Sequence, residues 1–449
     1  MKKILTLMIL FSILLISSCQ SIPQETETIP TEKQEPMEET QETPPHSQES
    51  GMVKSSVARE TSPKVSPDQL SILVQDNTQF GMKFFELIRT DGENVIFSPI
   101  SISLALSMTL AGAESSTEQA MKEALQLSLL EEEIHPAFNA ILLAIEKSQE
   151  DLPEDSEGSK FQLNIANSIW TQTGYDFKEI FMDTLARHYG AGIYNVNFME
   201  DPESARLAIN DWIEEETEEK IKDLIPPGAI NTLTRLVLAN AIYFNGSWRY
   251  PFKESATTQA PFKLLDGSES NVDMMTLSGE SLLYSKGENY QAVQLPYLSP
   301  DFVMTILVPD EAAFLDFESS IDTEKLGNIL NELSFRPVNL KMPKFDFATS
   351  VNAKNPLSTL GMEEAFFADS ADFSGITDLE KLYISDVLHK ATITVDEQGT
   401  EAAAATVVIM RAESMPAEPI SLIIDRPFLF FIRHESSGTI LFMGHVVEP

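Results

Sequence analysis

Residues 236–248, LVLANAIYFNGSW, form a near-continuous apolar run. A strand with one wet face alternates apolar and polar residues. A run without that alternation suits a strand buried on both faces. The chain is therefore expected to build a sheet covered above and below. With 449 residues and 43% hydrophobic composition, it has enough apolar surface for one large domain or two smaller ones.

The other element signals place helices first and strands later. Ser66-Pro67 reads as a helix N-cap followed by proline at the first helical position. Leu70, Leu73, Val74, Phe84, Phe85 and Ile88 then follow helical spacing. Ser98-Pro99 repeats the pattern, and Asp201-Pro202 opens a further helix. Ser115 and Glu118 predict a capping box. FQLNIANSIWTQ, residues 161–172, alternates imperfectly. AVQLPYL and FVMTILVPD read as a hairpin pair. VNLKMPKFDF, ATITVDEQG, FLFFIRHE and TILFMGHVV read as strands. Helices in the first half and strands in the second predict an α+β fold.

Charge and the first residues bound the setting. The net charge is −38, with 69 acids against 31 bases. Such a surface repels phosphate and sulfate, so nucleic acid, heparin-like polyanions and anionic headgroups are poor partners. The stretches LLEEEIHPAF and EKSQEDLPEDSEG are acidic. Lys2 and Lys3 precede an apolar segment over residues 4–16, too short for a stable membrane anchor. The sequence ISSC follows and ends at Cys19, the only cysteine. Apolar, small, small, Cys resembles the bacterial lipoprotein cleavage box, in which the cysteine is lipidated and becomes the new N-terminus. The plainer reading is an ordinary secretory signal with an incidental cysteine. Residues 1–19 are thus expected to be a lipoprotein signal peptide, and the protein to be exported and lipid-anchored at a bacterial membrane or cell surface. Residues 20–66 are rich in Pro, Glu, Thr, Gln and Ser and predict a disordered tether with a reach of roughly 40 Å. Residues 67–449 are expected to be the folded domain.

Catalytic signatures are missing. The sequence has no G-x-S-x-G, H-E-x-x-H, P-loop or G-x-G-x-x-G. His46, His135, His188, His389, His434 and His445 lack metal-ligand spacing. The segment DEQGTEAAAATVVIM, residues 396–410, is more distinctive. Its alanines favour helix and its β-branched half favours strand.

Four stretches together resemble the serpin family: NVIFSPISISLALSMTLAGA, LVLANAIYFNGSWRYPF, VDEQGTEAAAATVVIM and DRPFLFFIRHESSGTILFMGHVVEP. They stand in serpin order, and the match covers residues 67–449. The resemblance implies helices packed around a large central β-sheet, further smaller sheets, and an exposed reactive-centre loop at about residues 399–418. That loop is bait for a serine or cysteine protease. Once cut, it enters the central sheet as a new strand. An inserting strand alternates its faces. With Thr400 as the first inward residue, Ala402 and Ala404 are small and pass easily. Glu401, Ala403 and Ala405 fall on the other face, and Gly399 supplies hinge freedom.

Further roles come with the resemblance. Ser98 and Ser101 resemble the hydroxyls beneath the sheet's central opening, and Asn240 and His389 the polar pair that rearranges there. Glu397 and Lys344 resemble the ion pair at the loop's entry, worth about 1 kcal/mol or less if on the surface. Trp248 resembles the aromatic packed beside it. Asp425-Arg426-Pro427-Phe428 departs from the family, which often has His before the proline. Counting seventeen residues from Glu397, with Glu397 as the first, puts the reactive bond at Glu413-Ser414. Arg411-Ala412 and Ala412-Glu413 are alternatives. The expected function is suicide inhibition by a monomer with no cofactor and no catalytic residue of its own. A non-inhibitory member acting as a binding or chaperone-like protein, and a lipid-anchored structural protein with a decayed loop, remain as rival classes.

Overall fold

The computed structural model describes residues 51–90, 92–150, 161–379, 381–400 and 418–449. In chain order the strands are β1 (Gly51–Val53), β2 (Val95–Phe97), β3 (Phe161–Gln172), β4 (Ile193–Val196), β5 (Leu236–Ser247), β6 (Thr258–Lys263), β7 (Glu269–Lys286), β8 (Tyr290–Pro296), β9 (Phe302–Pro309), β10 (Ser334–Pro343), β11 (Phe345–Asn352), β12 (Asp386–Val395), β13 (Gly399–Thr400), β14 (Ile420–Ile423), β15 (Phe428–His434) and β16 (Thr439–Val446). The helices used below are α1 (Pro67–Ile88), α2 (Pro99–Leu110), α3 (Ser115–Ala124), α4 (Glu131–Glu150), α5 (Glu179–Thr184) and α6 (Pro202–Glu216).

The strands make two sheets. One runs in the order β1-β4-β3-β5-β13-β12-β11, and the other in the order β14-β10-β7-β8-β9-β15-β16-β2, with β6 paired to β7. The fold is α+β, as the order of elements in the sequence predicts. β5 is buried at every position, because each of its faces has its own cover. Leu236, Leu238, Ile242 and Phe244 join the large core that also contains α2 residues Ile100 and Leu104. Val237, Ala239 and Ala241 pack on the opposite face with Ile209 and Ile213 of α6 and with Ile221 and Ile225. The unbroken apolar run at 236–248 is the sequence mark of that double cover.

Capping accounts for the helix starts. The Ser66 hydroxyl accepts from the Gln69 amide while the Gln69 side chain accepts from the Ser66 amide. Ser98 caps α2, and Asp201 caps α6. α2 is buried along its whole length, consistent with a helix lying between the two sheets. The expected capping box at Ser115 does not form. Glu114 takes the N-cap position, Ser115 has φ +55°, and its hydroxyl faces Asp372 at 3.2 Å.

Two expectations about organisation change. The tether assigned to residues 20–66 does not extend to residue 66. Gly51–Val53 pairs antiparallel with β4 at the sheet edge, and Ser55 bonds Asp183 at 2.5 Å. The Arg59 guanidinium reaches Asn139 at 3.0 Å and Glu146 at 2.7 Å on α4. The polar composition that marks the tether continues across these residues, but their hydrogen bonds are satisfied by the folded body. The run VNLKMPKFDF is two strands rather than one. It turns at Lys344 and passes from one sheet to the other. The pair β8 and β9 is the expected antiparallel hairpin.

Candidate functional site

The site lies where β5 and β12 part. Lower in the sheet the two strands pair directly and in parallel, from Asp386 opposite Val237 to Ala391 opposite Ile242. Higher up, β13 sits between them. Thr400 is opposite Gly246 on β5 and opposite Val395 on β12, and both pairings are antiparallel. The sheet thus carries the start of an additional strand. Gly399 and Thr400 were expected at the beginning of an exposed loop, but they are buried, with Thr400 1% exposed.

The local sequence explains the seat. Asp396 begins a tight turn in which its carboxylate accepts from the amides of Gln398 and Gly399, at 2.8 and 3.2 Å, and its amide donates to the Gly399 carbonyl at 2.9 Å. A Cβ on Gly399 would stand 2.1 Å from the Gly246 carbonyl oxygen. Gly399 therefore serves close backbone approach as well as hinge freedom. The Thr400 hydroxyl meets the Tyr297 hydroxyl at 2.8 Å. Burial pushes the Tyr297 phenol well up, with the Thr400 hydrogen bond opposing. Trp248 stacks on Tyr297 at 4.6 Å between ring centres, and its indole donates to the Asp396 carbonyl at 3.0 Å.

Glu397 follows the same turn. Its carboxylate takes the Lys344 ammonium at 2.6 Å and the Thr257 hydroxyl at 2.6 Å. Burial pushes this carboxyl up, but Lys344 and Thr257 more than offset it, so Glu397 titrates below the usual carboxylate range. The hydrogen bond to Glu397 raises the Lys344 ammonium. The Glu397 side chain is only 6% exposed. The structure forms the ion pair expected at the loop's entry, with Lys344 36% exposed and the carboxylate buried, and removing Lys344 would leave that buried carboxylate with Thr257 alone.

Below Thr400 lies a polar network. His389 and Asn240 are opposite each other on β12 and β5. The Ser98 amide donates to His389 Nε2 at 3.1 Å, so that nitrogen carries no proton, and Nδ1–H donates to Asn240 Oδ1. Asn240 donates to the Ser101 carbonyl and hydroxyl, at 2.7 and 2.6 Å, and to Asn167 on β3. Burial pulls the His389 imidazole down to about 3, so the ring is neutral at pH 7. The network ties β3, β5 and β12 to the start of α2 and is buried in an otherwise apolar layer.

The structure thus brings Ser98, Ser101, Asn240 and His389 into one cluster and Lys344, Glu397, Trp248, Gly399 and Thr400 into a second, higher one. Glu401, Ala402, Ala403, Ala404, Ala405, Arg411, Ala412, Glu413, Ser414 and Cys19 lie outside the described residues. Sequence reading missed Asn167, Thr257, Gly246 and Tyr297. Asn167 did leave a signal: it is the polar break in the phase of Leu163, Ile165 and Ile169. Tyr297 left none.

Nothing among the described residues reads as a nucleophile poised for catalysis. One Ser, His and Asp do meet: Ser148 Oγ donates to Asp301 at 2.6 Å and faces His434 Nε2 at 3.0 Å. The hydroxyl proton is thus committed to the carboxylate, whereas a triad needs the aspartate on the histidine and the histidine as base toward serine. No group of His, Cys, Asp and Glu among the described residues is arranged to hold a metal.

A family pattern described as Serpin (serine protease inhibitor) matches residues 75–449. The chain belongs to the serpin family. It is 36% identical to the leukocyte elastase inhibitor of Sus scrofa over 384 residues, covering 83% of this chain and 98% of that protein. It is 34% identical to plasminogen activator inhibitor 1 of Bos taurus over 380 residues, covering 83% of this chain and 91% of that one. The crystal structure of the thermophilic serpin tengpin in the native state superposes with a TM-score of 0.77, at 27% identity, over 89% of this chain and 100% of that one. Serpins are protease inhibitors rather than catalysts.

Proposed function

We propose that this serpin traps a serine or cysteine protease by covalent suicide inhibition, driven by insertion of its reactive loop between β5 and β12. The observation that carries the reading is the register of Thr400. Continued down β5 from Gly246, an antiparallel strand starting at Thr400 places Thr406 opposite Asn240. Continued along β12 from Val395, it places Thr406 opposite His389. The two registers agree, so the incoming strand would bring a hydroxyl between the two side chains whose hydrogen bond it must break. In the same register Ala402, Ala404, Val408 and Met410 would face the core containing α2. Glu401, Ala403, Ala405, Val407 and Ile409 would face α6. Small side chains lead, and the β-branched ones follow once the strands have parted.

The chemistry is the protease's own. Its nucleophile attacks the Glu413 carbonyl carbon, the Glu413–Ser414 bond breaks, and Ser414 leaves as an amine carrying the proton. The new ester or thioester then travels with the loop. Residues 400–412, at about 3.3 Å each, carry it roughly 43 Å. This matches β5, whose 12 residues span about 40 Å. Distortion of the protease at the far pole would outpace deacylation. Cutting at Arg411–Ala412 would shorten the travel by roughly 7 Å. A binding or chaperone-like member needs no such run of small inward residues.

The test is reaction with trypsin, pancreatic elastase and a glutamate-specific serine endopeptidase, followed by a denaturing gel and mass spectrometry of the released fragment. The expected result is a gel-stable complex with a fragment beginning at Ser414. Loop cleavage without any complex would reject the inhibitory mechanism.

We further propose that Cys19 carries the lipid that anchors the protein. Cys19→Ser should release the chain from membranes and leave protease trapping unchanged. Continued membrane attachment of that variant would reject the lipid anchor.

A further inference from the structure

We infer that residues 51–62 form a strap that is docked on the body at neutral pH and released in mild acid, with His135 and His188 as the pair that releases it. The strap and both histidines lie apart from the reactive loop, so the inference stands whether or not the loop traps a protease.

Polar bonds hold the strap, and its footholds lie on two different elements. One foothold is α5 with the turn at residues 185–190. The Lys54 ammonium donates to the Gly190 carbonyl, the Ser55 hydroxyl donates to Asp183 at 2.5 Å, and the Glu60 amide donates to the Arg187 carbonyl at 2.8 Å. The other foothold is α4. Asn139 donates to the Glu60 carbonyl at 2.7 Å and accepts from Arg59 at 3.0 Å, and Glu146 takes the same guanidinium at 2.7 Å. No residue from 51 to 62 is fully buried, so little apolar burial backs these bonds, and docking depends on the two footholds keeping their spacing.

The two histidines occupy the joint between the footholds. His188 stands between Arg187 and Gly190, whose carbonyls the strap uses, and His135 lies one helical turn before Asn139. Their rings are 6.3 Å apart and inclined by 26°, and the Tyr189 hydroxyl meets His135 Nδ1 at 2.7 Å. Neutral rings suit this joint. Tyr189 can donate to His135 Nδ1, and His188 Nδ1 is buried without a partner, which costs little for a lone pair. Protonation would make that nitrogen a buried donor with no acceptor and would set two cations against each other. The surrounding charges do not prevent this. Glu60 favours a charged His188, but burial and then Arg187 outweigh it and hold that imidazole below its ordinary range. Burial and then the facing His188 pull His135 down to about 4, although Glu131 and Glu132 stand one turn before it on α4. Glu146 is paired with Arg59, and Asp183 accepts from Ser55. Both rings thus titrate lower when docked than when water reaches them. The hold is complete above about pH 6.5 and weakens below it, by up to about tenfold per pH unit for each histidine. Release would uncover the edge of β4 that Gly51–Val53 now pairs, and would return residues 51–65 to the chain linking Cys19 to α1.

The experiment is hydrogen–deuterium exchange of the full chain at pH 7.5 and 5.0, expressed as protection relative to a free amide at each pH. Histidine is the side chain that ordinarily titrates in this interval. Amides of residues 52–60 should lose about tenfold or more of their protection at pH 5.0, while those of β5 keep theirs. His135→Gln and His188→Gln should each lessen the loss, and the double variant should abolish it. His188→Phe keeps a ring in the stack and should hold the strap at both pH values, so a loosening caused by glutamine itself does not decide the point. Equal protection at both pH values in the unaltered chain would overturn the inference. So would a loss that is undiminished in the double variant and in His188→Phe.

Discussion

Thr400 has almost no room to change. It is 1% exposed between two strands, with its hydroxyl on Tyr297. Thr400→Arg would put a guanidinium into the sheet interior without a partner, at a cost of several kcal/mol. In the proposed mechanism insertion would then lose its race with deacylation. The variant should be cleaved and released, read as a fall in gel-stable complex per loop cut. Undiminished trapping would mean that Thr400 does not lead the strand. His389 gives a pH prediction. Its folded pKa is about 3, below the ordinary value near 6.5, so the unfolded chain binds more protons between those limits. The stabilising contribution of neutral His389 is therefore complete above about pH 6.5 and is lost as pH falls toward 3, by up to about 1.4 kcal/mol per pH unit. Protonating Nε2 would also turn it against the Ser98 amide. Denaturant midpoints at pH 7 and 4.5 should lie closer together in His389→Gln than in the unaltered chain. An identical gap would remove His389 from the acid sensitivity. Most of these residues were legible from the family resemblance, because their partners sit in recognisable stretches. Tyr297 and Thr257 were not, because each joins the site only through the fold.

At the level of elements, the sequence marks strands by what covers them and marks boundaries poorly. β5 was legible because both of its faces are covered. The break at Lys344 was not read, although the apolar phase slips there by one residue, from Val338, Leu340 and Met342 to Phe345 and Phe347. Residues 51–66 were misassigned because they contribute polar contacts to the body and almost no core, so their composition resembles a tether. Their contacts are nonetheless specific. A chain beginning at residue 67 loses three ladder pairs to β4 and the bonds from Arg59 to Asn139 and Glu146. At about 0.5–1.5 kcal/mol for each hydrogen bond, part of it offset by the entropy of ordering the segment, the net loss should be roughly 2–4 kcal/mol. Thermal unfolding of chains beginning at residues 47 and 67 checks this. Equal midpoints would show that the segment adds no stability. Cover also bears on insertion. α6 and the segment holding Ile221 and Ile225 lie over β5, so an incoming strand must displace or slide beneath them.

For the molecule as a whole, the proposed function requires that the intact fold is not its most stable arrangement. The sheet holds Thr400 between β5 and β12, and the two strands pair directly again from Ala391 opposite Ile242, four residues further down each strand. A complete inserted strand would gain neighbours on both sides, each new hydrogen bond worth about 0.5–1.5 kcal/mol net, and would bury Val408 and Met410. Even after the entropy of ordering a dozen residues, the gain should amount to several kcal/mol. On the proposed mechanism, the barrier to opening the β5–β12 pairing would withhold that gain kinetically in the uncut chain. Calorimetry of the intact chain and of the chain cut between Arg411 and Ser414 tests this directly. The account predicts a much higher unfolding midpoint after cleavage, although a covalent bond has been lost. An unchanged or lower midpoint would mean that the loop does not enter the sheet, and would contradict the proposed mechanism.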